Sequence, residues 1–322
     1  MTRRIDVLAA VAMLVAGCGS AGPSSPPTLE PPSAAPIPVP TGIATIAPTA
    51  QVVPVRLDET LVLADSREIK ARCVGDGVPT ILLEVGGSGD MSEWPPQFVN
   101  ELGAGTTTCL YSRAGGRGSS PPAKSPASME AVTSDAFEVL DIARATAGVE
   151  APYVFVGWSL GGSVALANAL ARPDQTVGVA ILDTDFPTDF LPACKASGRT
   201  DADCQAEYED DIDAKVLEDG IARAVHPLDL PAVLVTAMAY PDCEVTPSAT
   251  LSASIAGTIV VAGSCEEFAR AVADLQIQRW PEALPEIRQT RLDADHDGLI
   301  RSEGRTIAEL ILQLVEAART GT

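Results

Sequence analysis

From residue 55 onward, apolar residues come in short runs broken by polar turns, and the spacing within the runs changes in a regular way. Leu61–Ala64 and Glu68–Ala71 alternate on either side of a polar gap and predict an edge hairpin. Thr80–Glu84 and Thr107–Tyr111 are compact runs of the kind found in strands buried on both faces. Met129–Ala147 differs: Val132, Ala136, Val139, Leu140 and Ala143 recur at three- and four-residue spacing, which predicts an amphipathic helix. A buried strand at Tyr153–Val156, an Ala/Leu-rich helix at Ser163–Ala171 and strands at Val177–Leu182 and Ala232–Thr236 follow. An extended stretch around Gln289–Leu292 and a closing helix at Thr306–Arg319 complete the pattern. Strands alternating with helices predict an α/β fold, with a mostly parallel central sheet covered by helices on both faces.

The junction between strand 153–156 and the next helix reads Gly157-Trp158-Ser159-Leu160-Gly161-Gly162, a Gly-x-Ser-x-Gly turn. Strand before and helix after are the context in which such a turn holds a serine in strained geometry with its hydroxyl exposed. Gly157 and Gly161 are needed where helix and strand pass too close for side chains. The helix N-terminus brings N–H groups and a positive dipole end to the same place. A serine hydroxyl is a poor nucleophile at neutral pH without a histidine to take its proton, and the chain has only two. His296 lies between the extended 289–292 stretch and the closing helix. His226 lies in a Pro-bounded loop before strand 232–236, where a surface or capping role is the better expectation.

Composition narrows the class further. In 322 residues, 22 Lys+Arg stand against 43 Asp+Glu, a net charge of -21, which opposes binding of nucleic acid or anionic headgroups through a basic patch. No apolar run after residue 18 is long enough to span a membrane. At the N-terminus, Arg3 and Arg4 precede the apolar stretch Val7–Val15, and Leu14-Val15-Ala16-Gly17-Cys18 follows. That stretch resembles the bacterial lipobox. It implies a signal peptide over 1–17, a lipid on Cys18 as the new N-terminus, and anchoring on the outer face of the cell membrane, with secretion as the alternative. Residues 18–54 are rich in Pro, Ala, Ser and Thr and are expected to form a disordered tether, with the folded domain over 55–322. Setting Cys18 aside leaves Cys73, Cys109, Cys194, Cys204, Cys243 and Cys265, an even number that suits an oxidising compartment. Sequence order suggests the pairs 73–109, 194–204 and 243–265. There is no Cys-x-x-Cys pair, and no metal or other cofactor is expected.

With the Gly-x-Ser-x-Gly turn, Glu84-Val-Gly86-Gly87-Ser88-Gly89 and Tyr111-Ser112-Arg113-Ala-Gly115-Gly-Arg-Gly118-Ser119 come in the order seen in the α/β-hydrolase family, which the chain resembles from about residue 55 to its end. It departs from the family pattern at Val85, where His is usual, and at Ser112, where Asp is usual. The resemblance implies a Ser–His–acid triad of Ser159, His296 and a carboxylate. It implies an oxyanion hole made by the backbone N–H groups of Leu160 and Gly87. Family spacing for the acid after strand 232–236 lands on Tyr240, with Asp242 two residues beyond. The other family location, the end of the preceding strand, offers Asp183. Asp183 is favoured over Asp242, with Asp185 third.

Two further segments bear on function. Asp293-Ala-Asp295-His-Asp297-Gly298 copies the start of a calcium-binding EF-hand loop, but position twelve is Gly304 rather than Glu, and an extended segment enters it. A calcium site is therefore not the expectation. The acidic stretch 187–230 is long enough to form a cap over the site and would disfavour anionic substrates. The expected activity is hydrolysis of an acyl bond in a small molecule, most simply a carboxylic ester. Few aromatics and no large apolar lid argue against a long-chain lipase. The alternative is a non-catalytic substrate-binding lipoprotein on the same scaffold.

Overall fold

The computed structural model describes residues 52–125, 127–187, 219–223, 226–239, 251–255, 258–262 and 265–321. The strands are β1 (Val55–Val62), β2 (Glu68–Val74), β3 (Thr80–Glu84), β4 (Thr108–Tyr111), β5 (Tyr153–Trp158), β6 (Thr176–Leu182), β7 (Ala232–Ala237), β8 (Leu251–Ile255), β9 (Thr258–Ala262) and β10 (Ile287–Leu292). The helices are α1 (Pro96–Gly105), α2 (Met129–Ala147), α3 (Leu160–Ala171), α4 (Cys265–Arg279), α5 (Leu299–Ser302) and α6 (Gly304–Thr320). Eight strands form one sheet in the order β1-β2-β4-β3-β5-β6-β7-β10. Pairing is antiparallel at β1–β2 and β2–β4 and parallel at every other step. This is an α/β-hydrolase fold.

Burial explains why the inner strands lack an alternating pattern. Every residue of β3 and β7 is buried, because helices cover both faces of the sheet. Along β5 the side chains part between two cores: Tyr153 and Phe155 join α2 and α3, whereas Val154 and Val156 join α1 and α6. The edge strands β1 and β10 are largely exposed and carry charged residues, which discourages pairing with another chain. Helix α2 keeps its expected bounds. Ser128 Oγ accepts from the N–H of Ala131 at its start, and Gly148 ends it at φ 64°.

Three differences from expectation have local causes. Helix α1 went unpredicted because Gly103 and Gly105 dilute its helical signal, yet its Phe98, Val99 and Leu102 are buried in the core that α6 also faces. Helix α3 begins at Leu160, not Ser163, since Gly161 and Gly162 are poor helix formers held helical by their surroundings. Val53 already packs on the core, and Pro54 O accepts from Gly75 N at 2.8 Å, so the fold begins two residues inside the expected tether. The β8–β9 hairpin and α4 were also not anticipated.

Cys73 and Cys109 face each other on the antiparallel strands β2 and β4 and form a disulfide. The signal segment and nearly all of the tether, Cys18, Cys194, Cys204, Tyr240, Asp242 and Cys243 lie outside the described residues, as does most of the 187–230 insertion. Cys265 is described only as the first residue of α4, so the 194–204 and 243–265 pairings lie outside as well.

Candidate active site

Ser159 stands between β5 and α3 at φ 55° and ψ −132°, and its side chain makes no capping bond to the helix it precedes. Its hydroxyl is therefore left to other partners. The approach that forces this turn is visible at two glycines. A Cβ on Gly157 would lie 1.9 Å from Gly161 O, and one on Gly161 would lie 2.1 Å from Glu84 O. No side chain fits at either position.

Asp183, directly after β6, also has a positive φ of 46°. For a residue other than glycine such geometry costs of order 1–3 kcal/mol and persists only where neighbours impose it. The neighbours here are the two turns themselves. Ser159 N donates to Leu182 O at 3.0 Å, and Thr184 Oγ1 donates to Ser159 O at 2.7 Å. Asp183 N donates to Val235 O at 2.7 Å, and Ala237 N donates to Asp183 Oδ1 at 2.8 Å. The third segment is laced on in the same way: Met238 N and Ala239 N donate to Leu292 O and Ala294 O, each at 3.0 Å. That extension of the β7–β10 pairing sets the loop carrying His296.

The three side chains meet there. His296 Nε2 lies 3.0 Å from Ser159 Oγ, and His296 Nδ1 lies 2.6 Å from Asp183 Oδ2. The arrangement suits proton transfer from the hydroxyl to Nε2, with the carboxylate holding the proton on Nδ1. Burial pulls the imidazole pKa down, but the Asp183 hydrogen bond and charge, with Asp297 and Asp185 behind, leave it above its ordinary 6.5. Among the described residues, Asp183 is the carboxylate hydrogen-bonded to the ring and Asp185 adds its charge, while Asp242 lies outside them. His226 is exposed in the segment before β7.

Leu160, the residue after Ser159, is buried at the start of α3, and Gly87 lies in an exposed turn after β3, next to Gly86, where a Cβ would lie 3.4 Å from Ser159 Cβ. The loop containing Gly87 is held from beneath by a device that sequence reading overlooked. The Arg113 guanidinium donates to the carbonyls of Gly86 and of Val85, the residue that stands where the family's His is usual. Glu84, fully buried, accepts from Asn168 Nδ2 at 2.8 Å and Tyr111 Oη at 3.1 Å. Burial pushes its carboxyl up to about 7, against the Arg113 charge and these two hydrogen bonds. Its signal was available: an acidic residue closing an otherwise apolar strand. Ser112, standing where Asp is usual, accepts from Met91 N through Oγ at 3.2 Å.

The loop that copies an EF-hand start is built otherwise. Strand β10 leads into it, and Asp295 Oδ1 accepts from Gly298 N at 2.5 Å, closing the turn internally. Among the described residues, no group of His, Cys, Asp and Glu is arranged to hold a metal ion.

Fold and site together define the class, and the sequence agrees: a model described as the alpha/beta hydrolase family matches residues 81–310. The chain belongs to the alpha/beta hydrolase family. No curated protein sequence matches it significantly. Among solved structures, an epoxide hydrolase from an endophytic Streptomyces is 15% identical at TM-score 0.55, with 83% of this chain and 96% of that one covered. The enol-lactonase from Burkholderia xenovorans LB400 is 17% identical at TM-score 0.51, with 80% and 100% covered. Proline iminopeptidase from Mycobacterium smegmatis is 14% identical at TM-score 0.53, with 82% and 99% covered. Likeness at these identities is likeness of fold.

Proposed function

We propose that the protein is a serine hydrolase that cleaves the acyl bond of a small carboxylic ester through Ser159, His296 and Asp183. The observation that carries this reading is the continuous path Ser159 Oγ, His296 Nε2, His296 Nδ1, Asp183 Oδ2 at 3.0 and 2.6 Å. Ser159 Oγ attacks the acyl carbon while its proton passes to His296 Nε2. The carbonyl oxygen takes up the displaced electron pair and is met by the N–H groups of Leu160 and Gly87. Collapse expels the leaving alkoxide, which receives the proton from Nε2 and leaves an acyl-Ser159 ester. Water then attacks that ester with His296 again as base, freeing the acid and restoring the hydroxyl. No step calls for a cofactor.

The test is hydrolysis of p-nitrophenyl esters from acetate to decanoate, with Ser159→Ala alongside and an active-site phosphonate as label. Turnover lost in the variant, with labelling of Ser159 alone, is the expected result. No turnover and no labelling would leave a binding protein on a hydrolase scaffold.

Export belongs to the same proposal, with Cys18 lipidated and residues 18–54 tethering the enzyme outside the cell membrane. The buried Cys73–Cys109 disulfide supports an oxidising compartment. Cys18→Ala should release the protein from the membrane fraction and abolish labelling by palmitate. Retention of either would refute the anchor.

A further inference from the structure

Trp158, the residue before the nucleophile, does more than fill the turn. Its indole stacks on the His296 imidazole, with ring centroids 5.3 Å apart and planes 29° from parallel. The first loop also packs close to the indole: a Cβ on Gly86 would lie 3.4 Å from Trp158 Cζ3. The indole nitrogen is buried and has no hydrogen-bond partner among the described residues, so packing, not a hydrogen bond, sets the ring's place. An aromatic face within about 6 Å of a cation attracts it through the ring quadrupole. In the proposed reaction His296 becomes such a cation each time Ser159 gives up its proton. Asp183 and Asp185 face that cation from the end of β6, Asp297 from its own loop, and Trp158 from the elbow.

We propose that Trp158 is a positioning residue, resting on the hydrolase reading above: its indole holds the His296 ring in line between Asp183 and Ser159 and stabilises the charge that ring acquires during proton transfer. The contribution is specific to the charged ring, so it acts on the transition state more than on bound substrate. A partly exposed cation–aromatic pair is worth about a two- to fivefold change in rate.

The experiment uses the full-length chain with Trp158→Phe, Trp158→Leu and His296→Gln. Two quantities are followed against pH: turnover of p-nitrophenyl butyrate, and tryptophan emission, in which the Trp158 signal is the difference between wild type and Trp158→Phe. A protonated imidazole quenches an indole stacked on it. Trp158 emission should therefore titrate with the acid limb of kcat/KM, and the titration should vanish in His296→Gln. Trp158→Leu should lower kcat about two- to fivefold with KM little changed and shift the acid limb down by about half a pH unit. Trp158→Phe should fall between. A raised KM with an unmoved acid limb overturns the proposal and makes Trp158 a wall of the substrate site. Emission that does not titrate in an enzyme that turns over ester overturns it too. Emission that titrates without ester turnover or phosphonate labelling upholds the ring pairing and overturns the hydrolase reading instead.

Discussion

Replacing Asp183 by Asn changes one atom and should nearly abolish turnover. Asp183 Oδ1 accepts from Ala237 N at 2.8 Å, and Oδ2 sits 2.6 Å from His296 Nδ1. An Asn in the same place has one oxygen, and the fixed Ala237 N–H claims it. The amide NH2 must then face Nδ1, which accepts only if it carries no proton. The proton is thereby forced onto Nε2, the nitrogen 3.0 Å from Ser159 Oγ, and no lone pair remains there to receive the hydroxyl proton. A wrong tautomer of this kind lowers kcat by about 10⁴ in a serine protease of the same chemistry, about 5.5 kcal/mol of barrier. The assay is kcat and kcat/KM for p-nitrophenyl butyrate at pH 8, beside a thermal melt. The melt should barely move, because size and the Ala237 bond are kept. A variant within tenfold of wild type would refute Asp183 as the orienting acid and return attention to Asp242 and Asp185.

Other consequences are checked by standard measurements. His296 must be neutral to act as base and its pKa lies above 6.5, so kcat/KM should fall as pH drops through that raised value, and Asp297→Asn should move the acid limb down. Glu84 has a folded pKa of about 7 against an ordinary 4.5, so its favourable contribution is complete below pH 4.5 and is lost as pH rises through 7. The span corresponds to about 3 kcal/mol. Urea unfolding of wild type and Glu84→Gln between pH 4.5 and 8 should therefore diverge, with wild type losing more stability than the variant as pH rises through 7. The Cys73–Cys109 bond closes a loop with a sequence separation of 36, for which chain entropy predicts about 3–4 kcal/mol. The double Ser variant should lose that much in urea, and an unchanged midpoint would count against the bond.

The sequence alone determined the sheet's parallel centre, because strands buried on both faces must be apolar without alternation, and β3 and β7 show this directly. The elbow was equally legible, since only glycine survives where Gly157 and Gly161 meet neighbouring backbone. With two histidines in the chain, His296 could be named from its place before the closing helix. The identity of the acid could not. Asp183, Asp185 and Asp242 all lie near strand ends, and sequence cannot say which carboxylate turns toward a loop 113 positions away. That depends on β6 and β10 flanking β7, on Asp183 accepting a positive φ, and on the Ala237 N–H that aims its other oxygen. Arg113 beneath the first loop and Trp158 against His296 were hidden for the same reason. Their partners lie far along the chain, and side chains distant in sequence are brought together only by packing of the tertiary fold.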